Sequence, residues 1–164
     1  MAIAQTIADF LIDHKVDYHV YPHDYSERAL EAAELTKLNP RSVAKAVVIA
    51  TKRQHKRNYC LVVLASDCEV DLNEIRGIAF QDVELACEAE LADLFPDCEV
   101  GAIPALGEAY GLPTFIDRSI TDSSEEIFFE AGDHLELIKI SIEHLEELMP
   151  YAEFVSISKP HTLN

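Results

Sequence analysis

Lys45 is the first residue whose type and surroundings point to chemistry. It lies inside the apolar run VAKAVVIA, where strand alternation puts Ala44 and Ala46 on one side and Lys45 with Val43 and Val47 on the other. A lysine among valines must reach water along its stem or meet an anion. It serves either as an anchor for an anionic ligand or as a charge that guards a sheet edge. The second feature is the loop Gly101-Ala102-Ile103-Pro104-Ala105-Leu106-Gly107. Glycine allows close approach to the backbone and proline stiffens the turn. Such a loop can offer N–H groups to a phosphate, a carboxylate or the oxyanion of an ester under attack, and the same composition also makes ordinary connections.

Other chemistries find less support. Cys60, Cys68, Cys87 and Cys98 form no CxxC pair, so they read as reduced thiols, with Cys60 in YCLVVLA a small core residue. His19 and His23 sit four apart beside Pro22; on a strand that spacing separates them by ~13 Å, too far to share one zinc with ligands at ~2.1 Å. No metal site and no cofactor is expected. The chain has no GxSxG elbow, Walker loop, strand-borne GxGxxG or HExxH, which narrows the reaction to one that needs none of them.

The formal charge of −17 argues against long duplex nucleic acid, whose phosphates are held mainly by Lys and Arg. The charge is unevenly placed, however. Leu35 to Ser66 contains no acid and seven of the 13 basic residues, whereas Gly77 to Asp117 contains nine acids and no Lys or Arg. A cationic zone carrying Lys45, Lys52, Arg53, Lys56 and Arg57 can receive a small piece of nucleic acid while the acidic remainder repels the rest. The same TKRQHKRN run also suits a plain solvated hairpin tip.

These residues need elements to position them. Ile3, Ile7, Phe10 and Leu11 predict a helix over 2–14. Val16, Tyr18 and Val20 alternate as a strand closed by Pro22, and a helix follows over 26–35. SVAKAVVIAT and YCLVVLAS flank KRQHKRN as the arms of a long hairpin. A short helix capped by Asp71, a strand over 83–87 and a helical EAELADLF come next; 101–113 is loop. Three strands, TFIDRSI, EIFFEA and LELIKIS, precede a final helix capped by Ser141. The expected fold is α+β: a mixed, largely antiparallel, partly barrel-like sheet surrounded by helices, in one domain over 1–155, with 156–164 a frayed tail. No run reaches the ~20 apolar residues of a membrane span, and MAIAQTIADFLIDH has neither a cationic leader nor a cleavage site, so a soluble, cytoplasmic protein is expected.

In order, SVAKAVVI, DCEVGAIPALGEAYGLPTFIDRSI and IFFEAGDHLELIKIS resemble the YbaK/prolyl-tRNA-editing family over about residues 16–149. The resemblance implies a deacylase that acts in trans on mischarged tRNA, typically alanine or cysteine esterified to proline tRNA. It implies that Lys45 holds the phosphate and sugar end and that Gly101 leads the loop that positions the terminal adenosine and the scissile ester. Ala46, Ala102, Ile103, Pro104 and His134 become substrate-binding positions; Lys52, Arg53, Lys56 and Arg57 become tRNA-binding ones. The implied partners are the aminoacyl-tRNA acceptor end and a prolyl-tRNA synthetase. Ala105 stands where the family closes its GxxxP loop with proline, and Ala46 where members often carry Thr or Asn; both bear on amino-acid preference.

Such an activity makes physical sense. A site for proline cannot strongly reject a smaller amino acid, because a missing methylene changes discrimination by only about 1–3 kcal/mol. An aminoacyl ester is already activated, so a positioned water with oxyanion stabilisation, aided by the substrate, can hydrolyse it. Two alternatives share the sequence: a non-catalytic module on the same fold that holds a tRNA end or a nucleotide, and an acidic interaction domain using Glu84 to Glu99.

Overall fold

The computed structural model describes residues 3–79 and 82–161. Ile7 and Leu11, one above the other at helical spacing, bury the inner face of α1 (Gln5–Asp13). β1 (His19–Pro22) and α2 (Ala29–Thr36) follow. The long hairpin is β2 (Ala44–Arg53) and β3 (Lys56–Ala65), in antiparallel register from Ala44↔Ala65 to Arg53↔Lys56. The apolar half of β3 is buried throughout and that of β2 is buried outside Lys45, Ala46 and Val47, since both faces of the sheet are largely covered. The polar run KRQHKRN, expected as a tip, is mostly strand. Only Gln54 and His55 form the turn, with φ of 50° and 66°, because a two-residue hairpin loop matches strand twist only with left-handed central residues.

After β4 (Cys68–Val70), the Asp71 carboxylate accepts the Asn73 N–H at 3.0 Å and starts α3 (Leu72–Ala79). β5 (Val83–Leu85) pairs with β2, and α4 (Glu88–Leu94) precedes the glycine loop, which ends in a 3-10 turn over Gly107–Tyr110. The run TFIDRSI, expected as one strand, divides into β6 (Thr114–Asp117) and α5 (Arg118–Thr121). Asp117 accepts the Ser119 N–H at 3.0 Å and so caps a helical turn where the strand would continue. β7 (Glu126–Glu130) and β8 (Glu136–Ser141) form a hairpin, and Ser141 caps α6 (Ile142–Leu148) by accepting the His144 N–H at 3.0 Å.

β9 (Glu153–Val155) and β10 (Ser158–Pro160) end the described chain. The expectation of a frayed end is corrected as far as Pro160. β10 pairs antiparallel with β4, and buried Asp117 accepts the Ile157 N–H and the Ser158 hydroxyl, each at 2.7 Å.

The sheets run β5-β2-β3-β6-β9, β1-β8-β7 and β10-β4. Among the strand pairs of the described residues, only β3–β6 and β6–β9 are parallel, giving the mixed, mainly antiparallel α+β fold. The barrel does not close; the two larger sheets meet at a bridge between Val43 and Phe128, where the Phe128 N–H donates to Ser42 O at 2.9 Å. A small second core, Ala32, Ala33, Val43, Phe128 and Leu137, holds α2 against this junction. Among the described residues no helix is long and apolar enough to cross a membrane.

Candidate active site

The sheet junction opens a cavity of about 300 Å³. Its walls come from the start of α2 (Glu27, Arg28, Ala29, Leu30), from Ala44, Lys45 and Ala46 on β2, and from Ser66 after β3. Gly101 and Ile103 of the glycine loop, Glu130 ending β7, Leu137 on β8 and His161 after β10 complete it. Lys45 and Gly101, 56 residues apart in the chain, therefore share one cavity, together with Ala46 and Ile103. Ala102 and Pro104 are buried and do not line it.

Lys45 is half-buried and also borders a second hollow beside Glu69 and Lys159. Burial pushes its ammonium below the ordinary value; Glu69 opposes this, followed by Cys68 and Asp67. Glu69 is engaged elsewhere, 3.8 Å from Lys159 Nζ and 3.4 Å from His161 Nδ1, and Arg41 pairs with Asp67 at 3.0 Å. Among the described residues no ion pair includes Lys45. A partly desolvated ammonium so placed gains from an incoming anion.

Gly101 adopts φ +85°, a conformation that L side chains rarely take. Ala102 donates its N–H to Glu99 O at 3.0 Å, so it has no free donor for a ligand. Among the hydrogen bonds of the described residues, none uses the Gly101 or Ile103 N–H, and these are the donors the loop can turn toward a ligand. His134 braces the loop from behind. Its Nε2 donates to Val100 O at 2.8 Å, a Cβ on Gly101 would lie 3.7 Å from its ring, and its φ is 63°. It is 4% exposed and supports the cavity instead of lining it.

Glu130 was not among the sequence candidates. Burial raises its carboxyl to about 7 against the lowering effects of the His134 imidazole and backbone. The available signal was a carboxylate at the end of the apolar strand EIFFE, immediately before AGDH. Arg28, Ser66 and His161 were also missed, since they reach the cavity from three separate parts of the chain.

The hairpin cations lie away from this cavity. Lys52 is seven residues along β2 from Lys45, ~23 Å at strand rise. Lys52 and Lys56 are exposed. Arg57 holds Glu90 through two bonds, Nε at 2.5 Å and Nη2 at 2.9 Å, and also binds Glu84; Tyr59 joins the cluster through Glu90. The four cysteines are unpaired, and burial pushes the Cys60 and Cys98 thiols up to about 11, away from nucleophilic thiolate. Among the described residues no group of three or more His, Cys, Asp or Glu could hold a metal.

Residues 24–148 match the model of the aminoacyl-tRNA editing domain. The chain is 25% identical over 161 residues to the multifunctional Ser/Thr-tRNA deacylase ProXp-y of Escherichia coli K12, covering 98% of this chain and 90% of that one. The same protein from Escherichia coli O157:H7 matches equally. Among solved structures, hypothetical protein APE2540 superposes with a TM-score of 0.80 at 18% identity, over 94% of this chain and all of that one. A protein provisionally assigned as a trans-editing enzyme for prolyl tRNA synthetase superposes with a TM-score of 0.77 at 18% identity, over 95% and 96% of the two chains. The matched segment contains the whole β2–β8 frame and every lining residue but His161: the chain belongs to the aminoacyl-tRNA editing domain family and is an aminoacyl-tRNA deacylase.

Proposed function

We propose that this chain acts in trans on tRNA mischarged with a small amino acid, with Lys45 anchoring a phosphate of the acceptor end and the glycine loop receiving the ester. The carrying observation is that Lys45, Gly101 and Ile103 line one cavity, with no hydrogen bond among the described residues engaging the two loop N–H groups. At about 300 Å³ the cavity is at the small end of ligand sites, which suits a small aminoacyl group and part of the terminal ribose. Alanine and cysteine on proline tRNA are the first substrates to consider; the name of the curated relative adds serine and threonine. In the proposed reaction, water bonds to the ester carbonyl carbon while the loop N–H groups hold the oxyanion. The carbon–oxygen bond to ribose then breaks, and the ribose oxygen leaves with a proton. Lys52 and Lys56 reach phosphates further along the acceptor stem, whereas Arg57 ties the hairpin to α4. A prolyl-tRNA synthetase is the proposed source of the mischarged product.

Replacing Lys45 tests this anchor. Lys45→Ala removes a charge-assisted contact of roughly 1.5–3 kcal/mol, so kcat/KM falls about ten- to a hundredfold. The fold survives because alanine suits a strand already holding Ala44 and Ala46. Lys45→Arg restores charge but replaces a point donor with a planar fork, and recovers activity only in part. Full activity of Lys45→Ala at subsaturating tRNA, with lowered thermal stability, would instead make Lys45 an edge guard.

A further inference from the structure

The cavity wall holds one half-buried carboxylate that the proposed hydrolysis does not use. Glu130 lines the cavity with its Oε1 fixed by the His134 N–H at 2.9 Å. Among the described residues no ion pair includes it. The other acid in the wall, Glu27, is exposed and accepts the Tyr25 hydroxyl at 3.0 Å. Its strand partner in the lining is Leu137, which offers a charge no compensation.

We propose that the Glu130 carboxylate binds the α-ammonium of the aminoacyl group and thereby selects for a free amino acid ester. The inference rests on the deacylase reading above and names the group that recognises its substrate. Every unmodified aminoacyl ester other than the prolyl one would bring one primary ammonium into this cavity, and desolvating that cation without an anion would cost several kcal/mol. Glu130 supplies the anion. Burial raises its carboxyl to about 7, and an arriving cation draws it to the ionised form.

Spacing supports the same assignment. Within an aminoacyl group the α-nitrogen and the carbonyl oxygen are about 3 Å apart, so their receptors must be neighbours. His134 connects the two sides: its ring nitrogen holds Val100 O at the entrance to the glycine loop, and its backbone N–H holds Glu130. One buried residue therefore bonds both to the residue that precedes Gly101 and to the carboxylate. His134 is accordingly a positioning residue and Glu130 a specificity-determining one.

The test uses two non-hydrolysable probes, alanylamido-adenosine and its α-hydroxy counterpart lactylamido-adenosine, with binding measured by calorimetry on the intact protein. The wild type is expected to bind the ammonium probe about ten- to a hundredfold more tightly, the value of one charge-assisted bond. Glu130→Gln keeps an oxygen for the His134 N–H and is expected to fold, yet to bind the two probes within about threefold of each other. Equal affinity of wild type for both probes, or undiminished discrimination by Glu130→Gln, would overturn the assignment. Hydrolysis of alanyl-tRNA is measured in parallel. Discrimination between the probes without turnover would contradict the deacylase reading while leaving the ammonium site standing. Turnover without discrimination would do the reverse.

Discussion

Glu130 and Lys45 are charged residues taken partly out of water, and their environments pull them in opposite ways. Burial disfavours the charged form of each, lowering the lysine and raising the carboxyl. For Glu130, with its carboxyl raised from 4.5 to about 7, the folded protein retains a proton that the unfolded chain releases. Between those values stability must therefore fall as pH rises, by up to about 3 kcal/mol. His134 and Asp133 are the titratable neighbours that modulate the effect. Glu130→Gln is predicted to lose this slope, so its denaturation midpoint relative to wild type is higher at about pH 8 than at about pH 5. Parallel stability curves across that range would contradict the burial account. Lys45 was legible from sequence because a lysine inside VAKAVVIA breaks the apolar pattern. Glu130 was not, because a glutamate ending a strand is ordinary until the fold covers it.

Strands and caps explain both what the sequence pattern conveyed and what it hid. The arms of the β2–β3 hairpin were readable from their continuous apolar runs, but the turn was not. Gln54-His55 adopts two left-handed conformations without the glycine or asparagine that normally marks them. β10 escaped notice for another reason. Ser158-Lys159-Pro160 has no apolar alternation, and its order depends on Asp117, about 40 residues earlier. The same carboxylate caps α5, so Asp117 joins β6, α5 and the end of the chain. Asp117→Ala should lose about 2–4 kcal/mol from these bonds. The amides of Ile157 and Lys159 should then exchange with solvent faster than those of the β2–β3 hairpin. Unchanged exchange at Ile157 would show that pairing with β4 suffices. Because His161 follows β10 into the cavity wall, loosening this clamp is also expected to lower deacylase activity.

At the scale of the whole molecule, the cavity sits where two unclosed sheets meet. Its lining comes from segments spanning residues 27 to 161. No local motif could announce it; the family resemblance joined Lys45 to Gly101 before the geometry did. Charge follows the same division. The acid-free stretch from Leu35 to Ser66 supplies Lys45 and the hairpin, while α4 and the following turn carry exposed acids, an arrangement that favours one tRNA end over extended duplex. The most direct test is the initial rate of ester hydrolysis by the intact protein on tRNAs charged with alanine, cysteine, serine or threonine, with correctly charged prolyl-tRNA alongside. Rapid release of at least one small amino acid, with prolyl-tRNA spared, is the predicted result. Folded protein that releases none of them, or that cleaves prolyl-tRNA as fast, would contradict the account.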